Sequence, residues 1–295
     1  MANLKEIRTR IASVQGTRQI TSAMKMVSAA KLRKAQDAII QMRPYASKLQ
    51  EILSHLTASL DNGHDNIYGT ERDVKKALII AISSNKGLCG AFNSNVAKRV
   101  IQLMENEYWK LKRDDQIEVI SIGKKGTELL LGKGVNIQET AHDILDNLNY
   151  ELIKALAKRV MASFAAGIYD EVKIVYNQFR NAAVQDLTVE QYLPVLPVEN
   201  PTDEYTHTDY ILEPTKRQII KVIIPKSLKM QLYKTFLDSV ASEHGARMTA
   251  MHKATDNATE LIKDLQLEYN KARQASITKE ILEIVGGAEA LKSKS

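Results

Sequence analysis

The sequence predicts an α/β fold class with long terminal helices: an antiparallel two-helix coiled coil made by N- and C-terminal rods, plus a central Rossmann-like α/β domain. Three observations predict it. Apolar and small residues recur in steps of three and four through residues 3–58 and again through 226–285, with no strand-like alternation. Between these stretches, short β-branched runs alternate with helical patterns. Only 5% of the 295 residues are aromatic, few for a chain packed throughout as compact globules. The expected divisions are 1–60 (first rod), 61–225 (α/β domain) and 226–295 (second rod).

In the first rod the stripe runs through Leu4, Ile7, Ile11, Val14, Met24, Val27, Leu32, Ala35, Ile39, Met42, Leu49, Leu53 and Leu56. Asn3 is the expected N-cap, with Glu6 three residues later completing a capping-box-like start. Pro44 removes a backbone donor and predicts a kink rather than an end, because the stripe resumes beyond it. An unbroken rod of this length would reach about 80 Å at helical rise. The second rod is expected to start at Pro225, a residue suited to a first helical turn, and to carry its stripe through Leu228, Leu232, Phe236, Val240, Met248, Met251, Thr255, Ala258, Leu261, Leu265, Tyr269, Ala272, Ser276 and Leu282. Gly16 and Gly245 each weaken a helix relative to Ala, so both are read as marks of close helix approach. Two rods of similar length flanking an insert are most economically paired antiparallel. Thr, Ser, Arg and Ala at seam positions leave part of the apolar contact to other proteins.

In the insert, Val74–Ser83, Ile117–Ile122 and Val172–Tyr176 read as buried strands, and Asn93–Leu111, Lys124–Leu131 and Leu148–Ala166 as helices between them. That order predicts a largely parallel sheet with right-handed crossovers. Residues 185–223 read as added strands and loop broken at Pro194, Pro197, Pro201 and Pro214. Asp61–Asp73 and Asn200–Asp209 are the expected mobile surface segments.

The net charge of +6 is unevenly spread. Residues 1–60 carry ten basic and three acidic side chains, 61–225 carry 20 and 23, and 226–295 carry 11 and nine. A basic terminal rod can meet nucleic acid, anionic lipid or an acidic protein, and the sign alone does not choose. Lys25, Lys31, Arg33 and Lys34 crowd its middle, but there is no basic region followed by clean heptads and no aromatic stacking motif, which disfavours DNA. The lone Cys89 excludes an internal disulfide framework and fits a reducing compartment; between two glycines at a strand end it reads as a small packed residue. The start, Met1–Lys5, lacks an apolar signal core, and no run is long enough to span a bilayer.

Motifs for chemistry are not met. Gly87-Leu88-Cys89-Gly90 and Gly123-Lys124-Lys125-Gly126 follow strands but match neither G-x-G-x-x-G nor the P-loop, and read as tight strand-to-helix turns. There is no H-E-x-x-H; His244 and His252, eight apart on one rod, cannot share a metal and read as surface residues. No G-x-S-x-G elbow accompanies the serines. No catalytic residue, cofactor or metal site is therefore expected.

The stretches IRTRIASVQGTRQITSAMKMVSAAK at 7–31, SSNKGLCGAFN at 83–93, ARMTAMHKATDNA, and NKARQASITKEILEIVGGAEAL near the end resemble the gamma chain of F-type ATP synthases. Asn85 departs from the pattern, where many members carry Asp. The resemblance implies a non-catalytic rotor whose paired terminal helices enter a ring of three alpha and three beta chains, with the α/β domain outside, toward the membrane ring of c subunits. It implies an epsilon partner and a peripheral place on the cytoplasmic face of a bacterial inner membrane. It further implies contact with the alpha/beta ring by Arg273 and Gln274 toward a beta-chain loop, by Thr278 and Glu280 at the neighbouring signature positions, and by Met24 and Arg247 beside acidic lever loops, with Lys25, Lys31 and Lys86 adding a basic collar.

Overall fold

The computed structural model describes residues 4–58, 67–113, 116–146, 148–195 and 216–292. The expected cap Asn3, the side chains of Leu53 and Leu56, residues 61–66, Asn200–Asp209 and Pro197, Pro201 and Pro214 lie outside the described residues. Two long helices bracket the chain: α1 (Leu4–Ala58), which continues through Pro44, and α7 (Lys216–Lys292). Between them come β1 (Ala77–Ile82), α2 (Phe92–Asn106), α3 (Trp109–Arg113), β2 (Ile117–Ile122), α4 (Lys124–Leu131), β3 (Ile137–Thr140), α5 (Asp143–Asp146), α6 (Tyr150–Ala165), β4 (Glu171–Phe179) and β5 (Gln185–Leu193). The residues group into two compact units, Ser28–Arg247 and Met1–Val27 with Met248–Ser295, and both long helices contribute to both units.

The larger unit is built on a five-stranded sheet in the order β3-β2-β1-β4-β5. β1 pairs parallel with β2 and β4, β2 parallel with β3, and β5 returns antiparallel on β4. All six residues of β1 are buried, and their alternation divides two cores. Ala77, Ile79 and Ala81 pack with Val96, Val100 and Leu103 of α2. Leu78, Ile80 and Ile82 pack with Leu156, Val160 and Phe164 of α6 and with Ile224, Leu228, Leu232 and Phe236 of α7.

Several expectations are corrected here. The second long helix begins at Lys216, with Pro225 inside it, so residues 216–223 are helical rather than strand or loop. Their β-branched run reads locally as a strand, but Ile224, Leu228 and Leu232 are buried at helical spacing against the sheet, and that packing overrides local propensity. The helix expected over Asn93–Leu111 is two, α2 and α3. β3 was not expected: it is a four-residue edge strand with a polar sequence. Gly245 does mark a close approach, but to a hairpin: a Cβ there would lie 3.2 Å from the Ala182 carbonyl between β4 and β5.

In the smaller unit, the start of α1 pairs with the end of α7. The hydroxyls of Thr21 and Thr255 are 2.9 Å apart, and residues preceding Thr21 share the unit with residues following Thr255, so the segments run antiparallel. Buried positions Ile7 and Thr21 on α1, and Met251, Ala258, Ile262 and Leu265 on α7, follow steps of three and four. The seam departs from expectation at two points. Ile262 is buried while Leu261 is 39% exposed, and on α1 the phase leaves Val27 57% exposed while Ser28, the first residue of the larger unit, is buried. In both cases the 3.5-residue period selects the position, not the more apolar neighbour. Gly16 faces open space, with nothing within 4 Å of a Cβ built there, so it marks no close approach.

Candidate functional site

The turn that leaves β1 concentrates the polar structure of the larger unit. Ser83 continues the ladder, its amide donating to Ile122 O at 2.7 Å. The following helix, α4, has Gly123 at its N-cap and no side-chain cap of its own. Its first amides are satisfied instead by the β1 turn: Lys124 N donates to Asn85 Oδ1 (3.1 Å), Lys125 N to Ser84 O (3.0 Å) and Gly126 N to Ser83 Oγ (3.2 Å). Orphan donors at a helix start, which in other α/β folds receive an anion, are here occupied by the chain itself. The glycines in Gly123–Gly126 follow from this. A Cβ at Gly126 would lie 2.2 Å from Ser83 Oγ, and Gly123 has φ +101 with Ser83 Oγ 2.5 Å from a Cβ.

Within the turn, Asn93 on α2 fixes Ser84: Ser84 N donates to Asn93 Oδ1 (2.9 Å), and Asn93 Nδ2 donates to Ser84 Oγ (2.9 Å) and approaches Cys89 Sγ at 3.3 Å. Cys89 is buried, and burial is the main cause pushing its thiol pKa up, as for a packed residue rather than a nucleophile. Leu88 adopts φ +62, the one non-glycine positive φ among the described residues, and is 63% exposed at the tip. Lys86 beside it is also exposed.

From the other side, α7 grips the turn through Arg247. Its Nη2 donates to Lys86 O (2.9 Å) and its Nε to Gly87 O (3.2 Å), while Nη1 lies 2.7 Å from a carboxylate oxygen of Glu243 and 3.3 Å from His244 Nδ1. The guanidinium is thus buried and committed inside the chain. Burial raises the Glu243 pKa, opposed by the charges of Arg247, Lys31 and Lys86. Lys31 on α1 and Lys86 on the turn therefore do share one neighbourhood with Arg247. His244 is not a simple surface residue: half-buried against Arg247, it is held down to about 4, by burial first and then by Arg247 and Lys31. Glu243 and His244 were not singled out from sequence, although a Glu four residues before an Arg on one helix is a readable pairing signal.

The other expected contact residues lie elsewhere. Met24 and Lys25 on α1 are half-buried in the smaller unit. Arg273, Gln274, Thr278 and Glu280 are exposed on α7 in that same unit, and Thr278 Oγ1 donates to Gln274 O of its own helix (2.9 Å). Extending the Thr21–Thr255 register brings α1 to its described start near Ala272, so Arg273 onward has no described α1 residue beside it. There Ile277, Ile281, Leu282, Ile284 and Val285 are all between 48% and 72% exposed. Among the described residues no group of three or more His, Cys, Asp or Glu side chains is arranged to hold a metal, and no helix is long and apolar enough to cross a membrane.

Two long helices at the chain ends, an α/β body between them, a self-capped strand exit and an exposed apolar helix end define a class of proteins with long terminal helices around an inserted α/β body. The family model described as "ATP synthase" matches residues 3–291. The ATP synthase gamma chain of Flavobacterium psychrophilum is 55% identical over 292 residues, covering 99% of this chain and 100% of that one. A chain in the Euglena gracilis mitochondrial ATP synthase structure comprising OSCP, F1 and c-ring superposes with a TM-score of 0.69 at 22% identity, over 98% of this chain and 94% of that chain. One from the central stalk and c-ring of the Tetrahymena thermophila mitochondrial ATP synthase gives 0.56 at 25%, over 80% and 99%. The chain belongs to the ATP synthase gamma chain family.

Proposed function

We propose that this chain is the central-stalk rotor of an F-type ATP synthase, coupling ion flow through a membrane ring to ATP synthesis or hydrolysis in a ring of alpha and beta chains. The observation that carries the reading is the 55% identity to a gamma chain along the whole length of both proteins. The chain contributes no catalytic group of its own; the chemistry belongs to the complex. Its partners are three alpha and three beta chains, an epsilon chain and the c-ring, and it resides peripherally at the cytoplasmic face of a bacterial inner membrane. The functional division is a paired rod made by 1–60 and 226–295 and a body made by 61–225.

A shaft that presents different contacts to three otherwise identical catalytic subunits biases them toward different conformations, since a ligand shifts an equilibrium only by its differential affinity. Rotation moves that bias from site to site. By linkage, nucleotide turnover in the ring drives the shaft in return. The exposed Arg273 and Gln274 are assigned to hydrogen bonds with a beta-chain loop, where the planar guanidinium suits carboxylates and carbonyls. Thr278 and Glu280 support the same segment. Met24 and Lys25 in the smaller unit, and Lys31 and Lys86 in the larger, are each assigned to acidic levers of the beta chains, and Arg247 serves Lys86 by holding the turn that carries it.

Mixing the purified chain with alpha and beta subunits tests the reading. A stable complex with cooperative ATPase activity is expected; alpha and beta subunits that ignore the chain would end it. In vesicles, Arg273→Ala with Gln274→Ala is expected to lower coupled ATP synthesis by about tenfold, the scale of an interfacial Arg anchor. Unchanged synthesis and hydrolysis would remove the two residues from the mechanism.

A further inference from the structure

We propose that Asn85 is a positioning residue, clamping the β1 turn to α4 and α5, and that Asp146 dictates its being an amide rather than a carboxylate. Both amide donors and one acceptor position of the side chain are used. Its Nδ2 donates to His142 O at 3.0 Å and to Asp146 Oδ1 at 2.9 Å, while Oδ1 accepts from Lys124 N at 3.1 Å. One side chain thus joins three segments: the exit of β1, the N-terminus of α4 and the start and end of the α5 segment. An amide supplies both donors and acceptor; a carboxylate has only acceptors. Placed at 85, a carboxylate would keep the bond from Lys124 N, lose both donated bonds, and set its oxygens against the Asp146 carboxylate and the His142 carbonyl.

The clamp matters because of where it sits. Asn85 directly precedes Lys86, whose carbonyl Arg247 grips at 2.9 Å. Asn85 is therefore the body-side brace and Arg247 the helix-side brace of one turn, and the exposed Lys86 and the positive-φ Leu88 lie at and beyond the gripped residues. Strain of the Leu88 kind persists only where the surroundings over-determine it. Under the rotor reading above, a turn loosened at 85 transmits force poorly while the catalytic ring still hydrolyses ATP.

The test compares Asn85→Asp, Asp146→Asn and the double variant with wild type in two assays. In the complete complex in vesicles, ATP-driven ion uptake per ATP hydrolysed is expected to fall about threefold in Asn85→Asp, to change little in Asp146→Asn, and to recover in the double variant, in which the amide donor sits on the other partner. In the purified full chain, amide exchange across residues 85–90 is expected to quicken about tenfold in Asn85→Asp and to return to within about threefold of wild type in the double variant, with exchange in β1 unchanged. Asn85→Asp behaving as wild type, or a double variant no better than Asn85→Asp, would overturn the proposal. If Asn85→Asp does not fold, recovery of folding in the double variant supports the clamp and failure of both overturns it. A wild-type chain that supports no ion uptake would defeat the rotor reading alone, since the exchange assay judges the clamp independently.

Discussion

At the scale of single residues, the strongest claims concern the buried charges on α7. Removing the Arg247 side chain leaves the Glu243 carboxylate buried without its guanidinium partner, so Arg247→Ala is expected to cost about 3 kcal/mol of folding stability near neutral pH. A loss of unfolding free energy below a third of that in denaturant titration would contradict the pairing. His244 gives a pH signature. Its ordinary pKa of 6.5 is held down to about 4 in the folded chain, by burial first, so the folded state keeps it neutral where the unfolded state takes up a proton. Its contribution is fully present above pH 6.5 and is lost as pH falls from 6.5 toward 4. Wild type should therefore lose stability relative to His244→Gln over that window and hold a constant difference above it; a difference flat from pH 7 to 4 would refute the burial. Gly126→Ala is expected to destabilise by about 2 kcal/mol, because a Cβ 2.2 Å from the buried Ser83 Oγ overpacks the joint between β1 and α4. The joint at Gly126 was illegible in the sequence for a physical reason, unlike the i,i+4 spacing of Glu243 and Arg247. Asn85, Ser83 and Gly126 meet only after the parallel pairing of β1 and β2 brings two strand exits side by side, and no local pattern encodes that meeting.

At the scale of elements, Gly16 and Gly245 separate by environment. Gly16→Ala fills open space and removes unfolded-chain entropy, so it is expected to stabilise the chain by about 0.5–1 kcal/mol, whereas Gly245→Ala must press on the Ala182 carbonyl 3.2 Å away and is expected to give no gain. Thermal unfolding of the two variants side by side checks this, and equal gains would contradict it. The long helices, the three central strands and α4 were legible because each carries a sustained period: Lys124–Leu131 is bounded as expected, and Ile117–Ile122 likewise. The start of α7 was not, because a β-branched run and a proline both argue locally against helix, and only burial of Ile224, Leu228 and Leu232 against the sheet reverses the balance. The seam also shows the limit of reading hydrophobicity alone. Ser28 is buried and Val27 exposed because the period fixes phase, and a small polar residue is tolerated where the phase demands it.

At the scale of the whole molecule, the proposed rotor role rests on surfaces offered for contact. The anion-binding potential at the start of α4 is consumed by Ser83–Asn85, and the apolar side chains from Ile277 to Val285 remain exposed in the chain by itself. The family was legible from the terminal motifs, whereas the contacts proposed for Arg273, Gln274, Thr278 and Glu280 belong to surfaces that one chain does not contain. The most direct test of the central claim is a single-molecule observation: alpha and beta subunits assembled on this chain, fixed to a surface through the ring, with a bead attached to the α/β body. Rotation of the bead in one direction, dependent on ATP and stepping in thirds of a turn as the proposed ring of three beta chains requires, is the predicted result. A complex that hydrolyses ATP at full rate while the bead stays still would contradict it.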